Sequence, residues 1–440
     1  MRIVRFVFGI LTVFLFGVGA LAQTPDMRDL DGRAYLQENI DRVAANYHGY
    51  EFHPLAYTPA PKGYKPFYIS HYGRHGSRMI TYSSAHKYII RKLTELGDAG
   101  LLSPKGAELL EHVRRQWEWQ EPRQGKLTAK GAGEHDRIAR NMYDSFQPVF
   151  KGRKAVREVC SVSDRCHASM RHFTAALQDC NRKLTFDADS AQALMAYIMV
   201  TPPDSIVHDR VKPYLDSLYD HWLVPEDAIG PLVTNLKKAM KIMHHPVKFE
   251  RYLHVVCSIA QNFDETPMYE YLPFEEAYKL WSIKNANLYF NHCNSAPFGD
   301  LRMPYASTLV KDFVFKADSV LAGQAPYCAD LRFGHDWGLI ALASWMGIEG
   351  FDERLTLQNH ERWKSGNEVS MASNIQWVFY RNRKGDILVK FIYNERERTL
   401  PALEAVNGVY YRWSDVRPYL LGRFPDPAVP NTELTNDVIN

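Results

Sequence analysis

An aromatic, apolar run, Pro66-Phe67-Tyr68-Ile69-Ser70-His71-Tyr72, leads almost directly into Arg74-His75-Gly76-Ser77-Arg78. The run has the composition of a strand, and the glycine-bearing pentapeptide after it reads as a turn. One imidazole therefore stands between two permanent cations where strand gives way to turn. Such a cluster repels itself unless an anion settles among the charges. Phosphate suits it, because guanidinium forks match its oxygens two at a time. The same positive field favours the neutral imidazole, whose free ring nitrogen is a nucleophile. The plainer reading is a solvated basic turn, and the rest of the chain has to decide between them.

Downstream the pattern alternates helix and strand. Helical spacing runs over 83–96, with Tyr88, Ile89, Leu93 and Leu96 on one face and Gly97 just past the end. It returns over 105–119 and over 128–142, where Thr128 is placed to cap. A strand is expected over 155–161, then a turn at Ser163-Asp164 and a helix over 165–177. Near Phe186 the pattern loosens. From 190 to 325 the chain reads as helical, with candidates at 208–219, 225–242, 274–290 and 307–321, and it lacks the β-branched runs of a sheet. A buried strand over 328–334 then meets His335-Asp336 and a helix over 337–345, stopped near Gly347. A hairpin follows, 375–380 and 387–393 about a turn at 382–385. Residues 23–60 form a mixed lead-in with a helical stretch over 35–45. Strand-then-helix units split by a helical block predict an α/β fold: a three-layer α/β/α sandwich core with an inserted, mostly helical cap. The expected division is 23–190 and 326–425 for the core and 191–325 for the cap.

The first residues have the form of an export signal, expected over 1–22. Arg2 and Arg5 precede an apolar run from Phe6 to Val18, and Ala20-Leu21-Ala22 offers the small-x-small cleavage pattern. The run is short for a membrane span, and no later segment is apolar enough to be one. The mature chain is expected to be exported, periplasmic or secreted, without a membrane association. Loss of Arg2 and Arg5 takes the formal charge from +3 to +1. That balance speaks against a nucleic-acid partner, so any affinity for anions must be local. Six cysteines in an exported chain allow up to three bridges in fifteen arrangements, and free buried thiols are an equal reading. No cysteine spacing resembles a zinc site.

Three strand ends carry chemistry: Arg74 to Arg78, Ser163 to Arg165, and His335-Asp336. Ligands of open α/β sheets sit at the carboxyl ends of strands, so these segments can converge. Together they supply what phosphoryl transfer needs. Arg74, Arg78, Arg165 and His335 would hold the non-bridging oxygens, His75 would attack, and Asp336 would protonate the departing oxygen. Asp336 beside such cations would lose its proton readily, so bound phosphate must offset the field and raise its pKa. The arginines already supply positive charge, and the chemistry calls for neither metal nor other cofactor.

Arg74-His75-Gly76-Ser77-Arg78 with His335-Asp336 resembles the histidine phosphatase superfamily in its acid phosphatase and phytase branch, which carries RHGxR. Leu127-Thr128-Ala129-Lys130-Gly131 is similar to the family's helix-starting leucine-threonine-x-x-glycine segment, and Arg165 matches its third phosphate-binding arginine. The resemblance implies an α/β core with an inserted helical domain and a small-molecule phosphomonoester substrate, usually hydrolysed at acid pH. It makes His75 the nucleophile, Asp336 the proton donor, and Arg74, Arg78, Arg165 and His335 the phosphate ligands. Arg165-Cys166 with Ser169 and Phe173, Phe333-Gly334-His335, Ala372-Ser373-Asn374 and Tyr393-Asn394-Glu395 resemble the multiple inositol-polyphosphate phosphatase subfamily. Two positions depart from it: that subfamily has histidine-alanine-glutamate at His335-Asp336 and tyrosine-proline at Met79-Ile80. Inositol polyphosphates such as phytate are thus the expected substrates. A broad or sugar-phosphate acid phosphatase is the alternative, and a silent phosphate-binding protein a third.

Other residues invite weaker readings. Lys237, Lys238, Lys241, His244, His245, Lys248 and Arg251 form a basic stretch that would either bind peripheral phosphates or face solvent as an ordinary helix surface. Lys87, Arg91 and Lys92 are expected at the surface. His71 would orient His75 or, more plainly, serve as a hydrogen-bonded structural residue. Cys166 is expected as a packed thiol.

Overall fold

In the computed structural model, residues 31–190, 194–198, 200, 206–263 and 268–428 are described. The expected export signal lies outside them. One sheet of eight strands organises the chain: β1 Lys65–Arg74, β2 Lys154–Cys160, β3 Leu184–Asp189, β4 Tyr327–Gly334, β5 Asn374–Arg381, β6 Ile387–Tyr393, β7 Arg396–Arg398 and β8 Tyr410–Arg412. Their order is β3-β2-β4-β1-β5-β6-β7, with β8 paired to β6. The first four are mutually parallel, and β5 to β8 run antiparallel.

Strand parity sorts the two faces, since successive side chains point to opposite sides. Ile69, Val156, Leu331, Phe333 and Val378 pack on one side with Ile138, Met142, Phe173 and Leu177 from helices Ala129–Ser145 and Asp164–Cys180. Tyr68, Tyr72, Trp377 and Phe379 point the other way. They meet Phe313, Leu339 and Val416 from helices Ser307–Leu321, Asp336–Met346 and Trp413–Gly422. The result is the expected three-layer α/β/α sandwich. No helix among the described residues is long and apolar enough to cross a membrane.

The decisive topological step is β4. Although it follows β2 by some 170 positions, it inserts between β2 and β1, pairing Arg74 with Gly334 and Cys160 with Phe333. Three strand ends thereby finish side by side. Tyr72 locks the junction: its hydroxyl accepts from the backbone N–H of His335 at 3.1 Å and donates to the Ile198 carbonyl at 2.9 Å. A Cβ on Gly334 or Gly338 would fall 2.1 and 2.2 Å from that hydroxyl, so both positions need glycine for space.

Several expectations need correction. β3, where the sequence pattern loosens, is an edge strand whose Leu-Thr-Phe-Asp-Ala-Asp sequence leaves most side chains outward. The helix expected over 225–242 is three pieces. Pro231 lacks the N–H that continuation needs, and Asn235 caps a new helix, Leu236–Met243, accepting from Lys238 N at 3.0 Å. The lead-in helix likewise breaks at Asn39 into Gly32–Glu38 and a 3₁₀ segment, Ile40–Tyr47. Helices Lys212–Trp222, Pro246–Ala260 and Phe274–His292 also lie between β3 and β4.

Candidate functional site

The turn after β1 is built by close backbone approach. A Cβ on Gly76 would lie 2.5 Å from the Gly131 carbonyl, and one on Gly131 would lie 2.2 Å from the Ser77 carbonyl. Only glycines allow the turn and the helix Ala129–Ser145 to touch in this way. Thr128 caps that helix, its hydroxyl accepting from Gly131 N at 3.1 Å and donating to the Ser77 carbonyl at 3.0 Å. Such a cap contributes about 1 kcal/mol. Glu134, one helical turn further, accepts from Ser77 N at 2.8 Å, Ser77 Oγ at 2.7 Å and Tyr50 N at 3.1 Å. Ser169 Oγ accepts from Gly76 N at 3.1 Å. Both flanking helices thus hold the turn from the side.

His75 is 2 % exposed. Its Nδ1 lies 3.0 Å from the Gly76 carbonyl, which cannot donate, so Nδ1 carries the proton and Nε2 keeps its lone pair. Burial holds the imidazole neutral, and Arg165, Arg74, Arg78 and His335 add to that effect. His335 stands beside it, ring centroids 5.6 Å apart and nearly perpendicular. The His335 ring stacks on Trp337 at 4.4 Å, and its Nε2 meets Ser161 Oγ at 2.9 Å. Burial, then Arg165, push its pKa down to about 3.

Arg74 is fixed by the Asn46 carbonyl at 2.5 Å, the Val369 carbonyl at 2.7 Å and Asp336 Oδ2 at 3.1 Å. Arg165 Nη2 approaches His335 Nδ1 at 3.4 Å. Arg78 donates to the Met79 carbonyl at 2.9 Å. All three guanidinium groups keep a buried Nε–H without an acceptor, as does the Trp337 indole N–H. Orphan donors of this kind, concentrated in one place, call for an acceptor.

Asp336 opens helix Asp336–Met346, where the helix dipole favours its charge. Asn46 Nδ2 donates to Oδ2 at 2.7 Å, and Trp337 N to Oδ1 at 3.1 Å. Burial alone would raise its pKa, but Arg74 and Asn46 outweigh it and hold the carboxyl below its usual range. The six residues singled out by the sequence, Arg74, His75, Arg78, Arg165, His335 and Asp336, therefore occupy one enclosed cluster.

Elsewhere the sequence reading is corrected or sharpened. His71 does not orient His75, whose ring is held by Gly76. It packs instead on Phe173 and Phe333, at 5.2 and 5.5 Å, with its Nδ1 unpartnered. Cys166 is a packed thiol donating to the Gly334 carbonyl at 3.3 Å, its pKa pushed up to about 12 by burial. All six cysteines are free. Lys92 is buried rather than superficial, held by Glu95 at 2.7 Å and the Ile242 carbonyl at 3.0 Å. Lys237, Lys238, Lys241 and Lys248 face solvent. Asn46, Ser161 and Glu134 escaped sequence reasoning. Glu134 alone left a signal, standing three residues past Gly131 on the same helix face.

No protein-family model matches the chain, and no curated protein sequence does. The likeness lies in structure. The Bifidobacterium longum multiple inositol polyphosphate phosphatase, solved with inositol hexasulfate, matches with a TM-score of 0.75 over 87% of this chain and 98% of that one, at 15% identity. The chain has the fold of that phosphatase. The D. castellii phytase matches at 0.67 over 93% of this chain and 90% of that one, with 16% identity. The Hafnia alvei apo phytase gives 0.52 over 83% and 98%, with 12% identity. The fold expected from the histidine phosphatase motifs is the fold shared with these phosphatases.

Proposed function

We propose that the chain is an exported phosphomonoesterase that hydrolyses inositol polyphosphates, phytate among them, through a phosphohistidine intermediate. One observation carries the reading: three guanidinium groups, Arg74 and Arg78 buried and Arg165 half-buried, each with a buried and unpartnered Nε–H, surround a neutral imidazole whose Nε2 is free. Cations paired with protein carboxylates would have no need of a ligand. Here Arg74 alone has such a partner within the cluster, Asp336.

In the first step His75 Nε2 attacks phosphorus and the ester P–O bond breaks. The guanidinium groups and His335 hold the equatorial oxygens in line, which is where most of the barrier is lowered. Asp336 gives its proton to the departing alkoxide. In the free protein Asp336 is ionised, so proton uptake must accompany substrate binding: the phosphate dianion offsets Arg74 and lifts the carboxyl's pKa. In the second step water attacks the phosphohistidine, Asp336 takes its proton, and inorganic phosphate leaves.

Rates on phytate, a sugar phosphate and an aryl phosphate measured side by side test the substrate class. Preference for phytate is expected. Clear preference for the small esters would replace the inositol reading with that of a general acid phosphatase, and no turnover of any ester would end the proposal.

A further inference from the structure

Ser161 follows β2 directly and is fully buried. Its backbone N–H donates to the Phe333 carbonyl at 2.9 Å, which fixes it against β4 two residues before His335. From there its Oγ meets His335 Nε2 at 2.9 Å. That nitrogen has one other neighbour, the Cys166 sulfur at 3.9 Å, a weak acceptor whose proton is spent on the Gly334 carbonyl. The hydroxyl proton of Ser161 has Cys166 Sγ and, at 3.4 Å, Ser163 Oγ to go to, so the oxygen is left to accept.

The far edge of the ring shows which nitrogen carries the proton. Arg165 Nη2 approaches His335 Nδ1 at 3.4 Å. A guanidinium donates and never accepts, so Nδ1 keeps its lone pair, and Nε2 carries the hydrogen and gives it to Ser161. Trp337, stacked at 4.4 Å, and Tyr72, which takes the backbone N–H at 3.1 Å, set the plane of the ring. In the unliganded protein His335 therefore has no N–H to offer a phosphate oxygen. It can accept from one, because a phosphomonoester monoanion still carries a P–O–H. The charged groups facing the ring are Arg165, Asp336, Arg74 and Arg78, with His75 edge-on. Burial and then Arg165 keep the imidazole neutral, and a dianion settling among the guanidinium groups reverses that field.

We propose that Ser161 is a positioning residue for phosphoryl transfer: by accepting the Nε2–H of His335 it turns Nδ1 to the substrate, and there the ring receives the phosphate's own proton. That proton passes from the P–O–H oxygen to Nδ1. The phosphate becomes a dianion, the ring becomes an imidazolium, and no other bond changes. Nδ1–H then donates back to the phosphate oxygen, and the Nε2–H bond to Ser161 becomes charge-assisted. The inference rests on the phosphomonoesterase reading and adds to it the ionic form of substrate that the site takes, the monoanion.

The test is calorimetric binding of inorganic phosphate at about pH 5, where phosphate is a monoanion. It uses the full chain and its Ser161 variants, each checked by thermal unfolding. Ser161→Ala should weaken phosphate about tenfold, since the hydrogen bond it removes is stronger in the complex than in the free protein. Ser161→Cys keeps the shape but accepts poorly, so it should lose as much, and it carries the same test should alanine unfold the chain. In a His335→Ala background either substitution should change binding by less than about twofold, because Ser161 acts through that ring alone. Unaltered phosphate binding by the folded Ser161 variants, or the same loss with and without His335, would overturn the proposal. Wild-type protein that binds no phosphate would end the phosphatase reading and the proposal with it, an outcome distinct from binding that is indifferent to Ser161.

Discussion

Glu134 offers the sharpest test of how the proposed nucleophile, His75, is held, because its carboxylate is spent on the turn after β1 and supports the whole of it. Its carboxylate, 3 % exposed, receives three hydrogen bonds, two from Ser77 and one from Tyr50 N. Glu134→Ala strands two backbone N–H groups and a hydroxyl in space closed to water. Each buried donor without an acceptor costs about 1–3 kcal/mol. Part of that is returned, because burial also disfavours the carboxylate and raises its pKa. A net loss of about 3 kcal/mol is expected, a shift of about a hundredfold in the folding equilibrium. Ser77 sits two residues from His75, so the turn should relax with it. A displacement of about 1 Å in the attacking group costs roughly a hundredfold in rate. Glu134→Gln keeps the shape and one acceptor but turns an amide towards a donor, so it should retain more stability than alanine and still lose at least about tenfold in kcat. Urea unfolding and 4-nitrophenyl phosphate turnover measure the two effects. An alanine variant with unchanged midpoint and unchanged kcat would refute the reasoning.

Asp336→Asn should slow alkyl phosphates, whose leaving groups need a proton, at least about tenfold more than aryl phosphates; equal slowing of both would contradict the donor role. Asn46→Ala removes a hydrogen bond to ionised Asp336 and should raise the carboxyl's pKa, moving the alkaline limb of the kcat profile to higher pH; a shift to lower pH would be contrary. Stability should fall as unliganded protein is taken from pH 6.5 to 5. Six buried imidazoles (His71, His75, His86, His135, His254, His335) have lowered pKa values, so the unfolded chain takes up protons that the fold refuses. Four buried carboxyls (Glu134, Glu158, Glu250, Glu395) are raised and act in the opposite sense. Each group moves stability by at most about 1.4 kcal/mol per pH unit, so the imidazoles prevail. Thermal unfolding across that range is the measurement, and a melting temperature that rises on acidification would be the wrong sign.

Legibility from sequence followed the range of the interactions. The Arg74–Arg78 turn, the Thr128 cap and the Asp336 helix start are local, and each announced itself in a few residues. The hairpin β5–β6 was legible because its turn and its alternation are contiguous. The position of β4 between β2 and β1 was not, since pairing across a long helical stretch leaves no periodic trace. β3 hid because an edge strand with outward Asp187 and Asp189 carries little apolar signal. Within the site, the second partner of a functional group was the usual omission. Asn46 meets Asp336 across 290 positions and Ser161 meets His335 across 174, and a lone polar residue in a loop gives no hint of either. The break at Gly230-Pro231, by contrast, was written in the chain and outweighed by the apolar spacing around it.

The central claim is that His75 Nε2 takes the phosphoryl group. Rapid acid quench of turnover with ³²P-labelled substrate, with alkaline work-up and peptide mapping, tests it directly. The expected result is an acid-labile, base-stable label on the peptide containing His75, absent from a folded His75→Ala variant that no longer turns over. Label on another residue, or undiminished turnover by that variant, would contradict the account.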